Sequence, residues 1–271
     1  MGRRHQTVSF LSDYGLEDEF VGVVRSVIRS AAPHVTVVDI THGIPVHDVR
    51  AASLALVRSV QYLAPGVVLA VVDPGVGTDR RALAVEVGAE GEAVFVGPDN
   101  GLLAGAVAMT GGARRVVELT ETEYHLPAPG PTFAGRDVFA PVAAHVCNGV
   151  DLGELGPSID PITLRPGLLP LSRQEEGKLM SEVLWVDHFG NAQLNVDPGD
   201  IAAMGERISL RWGMNQVRTG RLAGAYGELK AGEVGLVVDS YGLVSVALDR
   251  RSAAEELKLR PGDAVTLEAA S

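Results

Sequence analysis

Cys147 is the only cysteine in 271 residues, which excludes an intrachain disulfide and fits a reducing cytoplasm. Its apolar surroundings, AAHVCNG, point to a buried structural thiol rather than a nucleophile. No stretch approaches the ~20 apolar residues that a membrane helix needs. The opening MGRRHQTVSF has two arginines but no apolar core, so a signal peptide is not expected. Gly2 also lacks the downstream Ser or Thr of a myristoylation site. Positive charge is scarce: 23 Lys and Arg against 34 Asp and Glu leave a net charge of −11. That argues against nucleic acid and anionic membrane as partners, since both reward basic patches. A cationic small molecule would be tolerated. No P-loop, no G-x-G-x-x-G opening a helix, no G-x-S-x-G and no H-E-x-x-H is present. The seven histidines are scattered without ligand spacing, so no metal site is expected.

What is there reads as a globular protein of ordinary composition, 46% apolar and 21% charged, long enough for one large core or two smaller ones. The first half alternates strand runs (Val8–Leu11, Val35–Ile40, Val67–Val72, Ala93–Val96) with helix runs (Asp18–Ala31, Val49–Tyr62, Leu102–Met109, Asp137–Asn148). The last helix run stops at Gly149 in the manner of a C-cap. This alternation predicts a mostly parallel sheet flanked by helices. From Gly156 to Gly177 four prolines suggest an extended linker. Short strands follow, at 179–186, 193–196, 207–212, 234–239, 244–248 and 264–268, and predict a smaller all-β barrel or sandwich. The chemistry-bearing class is therefore α/β with a C-terminal β-barrel, divided as 1–165, a linker at 166–177, and 178–271.

Four strand exits share a pattern: LSDYG, VDITHG, VDPGVG and GPDNG. Each sets Asp beside Gly just past an apolar run. In open α/β sheets ligands sit outside the carboxyl ends of the strands, so Asp13, Asp39, Asp73 and Asp99 are expected to converge on one crevice. Taken singly, each is also a good turn or cap residue. The third exit continues as VVDPGVGTDRR, so a carboxylate at a strand tip is followed seven residues on by Arg80, with Arg81 beside it. In an extended segment neighbours face opposite ways, and only one of the two can return to Asp73. His42 and His47, in THGIPVHD, read as a turn histidine and one lining a wall. Arg136 and Asp137 read as an ion pair at a helix start.

Six segments in order, FLSDYGLEDEFVG, VDITHGIPVHDVRAA, VVDPGVGTDRR, VGPDNGLL, PTFAGRDVFAP and VDHFGNAQLN, together with VVDSYGLVSVAL, resemble the S-adenosyl-L-methionine (SAM) hydroxide adenosyltransferases. These SAM hydrolases are relatives of the fluorinase and the SAM-dependent chlorinase. The resemblance spans nearly the whole chain. It implies an N-terminal SAM-binding α/β domain, a C-terminal barrel, a cytoplasmic homotrimer with sites between neighbouring subunits, and cleavage of SAM by water to adenosine and L-methionine. SAM is the substrate, and no cofactor is implied.

Residue by residue, the resemblance implies that Asp13 grips the ribose hydroxyls and that Asp18 lies near the methionine amino group. His47 would pack on the ribose, with Phe133 and Gly135 among the substrate contacts. Asp187 and Asn191 would meet methionine and adenine, Phe189 would stack near the adenine, and Ser240 with Tyr241 would lie by the methionine carboxylate. Asp73 matches the position that is Asp in hydrolases and Tyr in halide-using relatives, because a carboxylate repels an anion and welcomes a water. Arg80 would hold Asp73. The third catalytic position departs from the pattern: the family's T-F-H-G-R-D is here TFAGRD, with Ala134 in place of histidine. Losing one water-positioning group costs about 10²–10⁴ in rate. A slowed hydrolase that still binds SAM or adenosine is expected, and one change inside an intact motif has the character of an introduced substitution. A chloride adenosyltransferase, a non-catalytic SAM or adenosine binder, and a metal-dependent hydrolase built on the aspartates are the competing expectations.

Overall fold

A computed structural model describes residues 2–88, 91–167 and 170–270. The chain divides into two compact units, Met1–Leu169 and Pro170–Ser271.

The first unit is built on six strands: β1 (Thr7–Ser12), β2 (Thr36–Thr41), β3 (Gly66–Val71), β4 (Ala82–Val87), β5 (Ala93–Pro98) and β6 (Ala113–Glu118), in the order β2-β1-β3-β5-β4-β6. The first four in that order run parallel. β4 enters antiparallel between β5 and β6. The expectation of a mostly parallel sheet holds, with two strands, β4 and β6, that it had not named.

β3 is buried along its whole length because both faces are covered. Its odd residues Val67, Leu69 and Val71 join Val8 and Phe10 in one core, under helices α1 (Phe20–Ala31) and α4 (Ala140–Cys147). Its even residues Val68, Ala70 and Val72 join the opposite core, with Leu56 of α2 (Val49–Ser59) and Ala106 of α3 (Ala104–Met109). α1 turns Val21, Val24 and Ile28 inward, the i, i+3, i+7 stripe of an amphipathic helix. α2 starts where the Asp48 carboxylate accepts from Ala51 N at 2.8 Å. The helix expected from Asp137 to Asn148 is preceded by a widened π-turn at Gly135–Phe139. Such turns recur at functional sites. Gly149 takes the left-handed conformation (φ 91°) expected of a C-cap glycine.

The second unit is a closed barrel of seven strands: β8 (Lys178–Val186), β9 (Ala192–Leu194), β10 (Arg207–Trp212), β11 (Gln216–Ala223), β12 (Val234–Val238), β13 (Val244–Leu248) and β14 (Ala264–Ala269). The pairing of β14 with β8 closes it and leaves no free edge. The short β7 (Arg173–Glu175) forms a hairpin on β8, within the stretch read as linker. At the other end of that stretch, Asp160 caps a single 3-10 turn at Pro161–Thr163.

Candidate active site

The parallel strands β2, β1, β3 and β5 end along one edge of the sheet; Asp13, Asp73 and Asp99 each follow a strand there, whereas Asp39, read as a strand exit, lies inside β2 opposite Phe10. Their fates differ. Asp73 follows β3, and its side chain is 6% exposed. Arg80 Nε donates to both of its oxygens, at 2.8 and 2.9 Å, and the Arg80 terminal nitrogen adds a close contact. Arg80 itself is 12% exposed, with its guanidinium 5.2 Å from the centre of the Phe139 ring. The turn between acid and base is closed by Val76 N donating to Asp73 O and Thr78 N donating to Gly75 O. The bare sequence of this turn lets the chain fold back on itself, so that a charge seven residues on reaches the carboxylate.

Arg81 points elsewhere. Its Nε donates to Asp99 at 2.9 Å, and its remaining nitrogens reach the Thr163 hydroxyl at 3.1 Å and the Thr163 carbonyl at 2.6 Å. Asp99 also accepts from Arg165 N at 2.9 Å. Asp39 is engaged by Arg25 and lies 3.1 Å from His42 Nε2. The expected convergence of four aspartates is thus corrected: Asp39 and Asp99 are engaged by Arg25 and by Arg81 with Arg165 N, which leaves Asp13 and Asp73 as the candidates. His42 lies in the bend just past β2, as read, but it is buried there: its Nδ1 lies 2.7 Å from Ser12 Oγ, and its ring packs at 4.6 Å against Phe10, tilted by 60°. Burial first, then Arg25, lowers its pKa to about 4, so it is neutral at physiological pH. Ser12 Oγ accepts from Tyr14 N, and His42 O accepts from Gly15 N, which fixes the loop carrying Asp13.

Asp13 Oδ2 accepts from His47 N at 2.9 Å. His47 is exposed at φ 68°, an uncommon backbone for a non-glycine residue. Asp18 is exposed on the same β1–α1 loop. Phe133 packs edge-on to Phe20 at 4.9 Å and to Tyr14 at 5.6 Å, with Arg136 over its ring at 5.1 Å. Arg136 and Asp137 form the expected pair, at 2.6 and 3.0 Å. Ala134 and Arg80 line one cavity of about 570 Å³ with Gly77, Pro131, Asp137 and His125. A longer side chain at 134 would therefore extend from the wall that Arg80 shares.

Tyr14 is the residue that sequence reasoning missed. A β-carbon on Gly135 would lie 2.1 Å from its hydroxyl oxygen. Burial, then Asp13, Asp73 and Asp137, raise its pKa well above the usual phenol value, with Arg80 opposing. An aromatic beside a strand-exit aspartate reads as core from sequence. Its only clue was adjacency to Asp13.

In the barrel, Asp187 organises a tight turn. Its Oδ1 accepts from Phe189 N and Asn191 N, and its Oδ2 from Asn191 Nδ2 at 2.8 Å. Phe189 stands 77% exposed above it, and with Asn191 and Tyr226 lines a second cavity of about 570 Å³. A matching turn is built on Asp239. Its Oδ1 accepts from Tyr241 N, its Oδ2 from Gln193 Nε2 and Ser245 Oγ, and Ser240 and Tyr241 are exposed at its tip. Gln193, two residues past Asn191, links the two turns through its bond to Asp239, and burial first, then Asp239 and Asp187, raise the pKa of Tyr226. Cys147 is buried and its thiol is pushed up to about 12, which fits a structural thiol. Among the described residues no group of three or more His, Cys, Asp or Glu is arranged to hold a metal, and no helix is long and apolar enough to cross a membrane.

Comparison with known proteins adds a family to this geometry. Residues 8–156 match the SAM hydroxide adenosyltransferase N-terminal domain, and residues 181–266 match its C-terminal domain. The chain is 42% identical over 263 residues to a protein of Salinispora tropica named (R)-S-adenosyl-L-methionine hydrolase, covering 97% of each. It is also 42% identical to a protein of the same name from Thermus thermophilus, covering 96% of this chain and 98% of that one. A crystal structure of an uncharacterized conserved protein from Thermotoga maritima superposes with a TM-score of 0.87 at 32% identity, over 96% of this chain and 99% of the other.

Proposed function

The chain belongs to the SAM hydroxide adenosyltransferase family, and from that premise we propose how its residues carry the reaction. It is an enzyme that acts on S-adenosyl-L-methionine and hydrolyses it. Water attacks C5′ of the ribose. The C5′–O bond forms as the C5′–S bond breaks, and the bonding pair stays on sulfur. The sulfonium leaves as the neutral thioether of L-methionine, adenosine is the second product, and the water gives up one proton to bulk solvent. A cationic leaving group that departs neutral needs no general acid. The protein's task is to align a water behind C5′ and to hold the sugar still.

The observation that carries this assignment is the Asp73–Arg80 pair. Both Asp73 oxygens face one guanidinium, which keeps the carboxylate charged and oriented, while its other lone pairs are available to a water O–H. Asp13, fixed by His47 N, accepts from the ribose diol. Phe133 and Gly135 wall the sugar, with Asp18 and His47 at its rim. The net charge of −11 suits a cationic substrate. In the homotrimer we propose, the barrel of a neighbouring subunit brings Phe189 against the adenine. Asp187 and Asn191 then meet methionine and adenine, and Ser240 and Tyr241 meet the methionine carboxylate. The reaction is placed in the cytoplasm, where SAM is made and used.

Ala134 offers no hydrogen bond at the position where the family usually carries histidine. Turnover is therefore slow, and restoring the imidazole with Ala134→His raises it at least tenfold. The direct test is SAM hydrolysis in ¹⁸O-labelled water. Label in the adenosine 5′-hydroxyl is expected. Products without label there, or no adenosine at all, overturn the assignment.

A further inference from the structure

Tyr14 stands one residue past Asp13, where β1 leaves the sheet. Three rings hold it: Phe133 edge-on at 5.6 Å, Phe20 at 5.7 Å and Phe10 at 6.4 Å. Its hydroxyl overhangs Gly135, in the notch that a β-carbon would fill at 2.1 Å, next in sequence to Ala134. The charges that act on this hydroxyl are those of Asp13, Asp73, Asp137 and Arg80. Asp73 and Arg80 among them are the pair proposed to hold the water. Among the described residues the hydroxyl donates no hydrogen bond to the protein, although buried or partly buried phenols usually find a partner.

We propose that the Tyr14 hydroxyl donates a hydrogen bond to the attacking water, the contact that alanine at position 134 does not make. The proposal rests on the hydrolysis reading. A water held only by Asp73 can still swing about that one hydrogen bond. A second contact fixes it: its O–H points to Asp73, one lone pair accepts from Tyr14, and the other faces C5′. The phenol keeps its proton throughout, so the balance of the reaction is unchanged. Being neutral, it also adds no positive charge beside a sulfonium, which a protonated imidazole would. Burial first, then the surrounding acids, keep the proton on the oxygen across the physiological range.

The test compares wild type, Tyr14→Phe, Ala134→His and the double variant for kcat and KM with SAM, and for adenosine affinity by calorimetry. Tyr14→Phe should lower kcat about 10²-fold while KM and adenosine affinity stay within about threefold, the split expected for a contact made to the nucleophile rather than to the substrate. Ala134→His should raise kcat by more in the Tyr14→Phe background than the at least tenfold it gives when Tyr14 is intact. Gly135→Ala, whose β-carbon displaces the hydroxyl, should also lower kcat, and adding Tyr14→Phe to it should cost nothing more. A kcat within threefold of wild type in Tyr14→Phe overturns the proposal. So does a fall in kcat matched by an equal loss of adenosine affinity, or an absence of recovery in the Ala134→His double variant. A wild-type chain that releases no adenosine from SAM overturns the hydrolysis reading, and this inference with it. An active wild type with an unaffected Tyr14→Phe overturns this inference alone.

Discussion

The tips of β3 and β5 carry nearly the same parts. Each ends in an aspartate whose side chain is almost buried, 6% exposed for Asp73 and 5% for Asp99, and each aspartate is paired with one of two adjacent arginines. They differ in what else each arginine holds. Asp99 accepts from Arg81 and from Arg165 N, and Arg81 is also tied to Thr163. The Asp73 carboxylate accepts as many hydrogen bonds as Asp99 does, but all of them from Arg80, whose side chain bonds nothing else among the described residues. One pair pins the Pro161–Thr163 turn to the sheet edge, and the other ties only its own strand tip. Burial, charge and bond count do not separate the two carboxylates, whereas the further partners of the arginine do.

The sharpest way to break that contrast is to neutralise each acid. Asp73→Asn should cut SAM turnover about 10³-fold with adenosine binding nearly intact, whereas Asp99→Asn should leave kcat within threefold. Equal losses in kinetic assays of the two variants would dissolve the distinction. A smaller effect is expected from the bases. Arg81→Ala strands a buried carboxylate, and should cost about 2 kcal/mol in urea unfolding once the partial exposure of Arg81 is discounted, with kcat little changed. A loss of turnover in Arg81→Ala as deep as in Arg80→Ala would show that both tips serve chemistry.

The smallest effect concerns the brace behind β1. His42 has a folded pKa near 4, below its unfolded value of about 6.5. Between those values the unfolded chain binds the proton that the folded chain refuses, so stability is full above pH 6.5 and falls as pH drops towards 4. His5, His125 and His145 are also lowered by burial and act in the same direction. His42→Asn should therefore flatten the pH dependence of chemical unfolding only in part, and an unchanged slope would remove His42 from this account.

Much of this was legible in the residues. The continuous apolar run of β3 announces a strand covered on both faces, and the adjacency of Arg80 and Arg81 announces opposite directions. What escaped was set by tertiary contacts. β11 reads QVRTGRLA and is exposed over its first half, because ladder hydrogen bonds rather than burial hold it in the barrel. β6 carries two arginines at its start, which mask a strand whose buried part is Val116 and Val117. The repeated Asp–Gly exits correctly located the sheet edge. They gave no sign that Arg25 and Arg81 would claim two of the four acids. Tyr14 escaped because a hydroxyl over a glycine is a meeting of residues more than a hundred positions apart.

That meeting also orders the history open to this pocket. With a phenol oxygen 2.1 Å from where a side chain at 135 would begin, a residue larger than glycine there must push the Tyr14 ring out of its place. Positions 14 and 135 therefore change at each other's expense. A lineage that keeps the ring where it stands keeps the glycine with it.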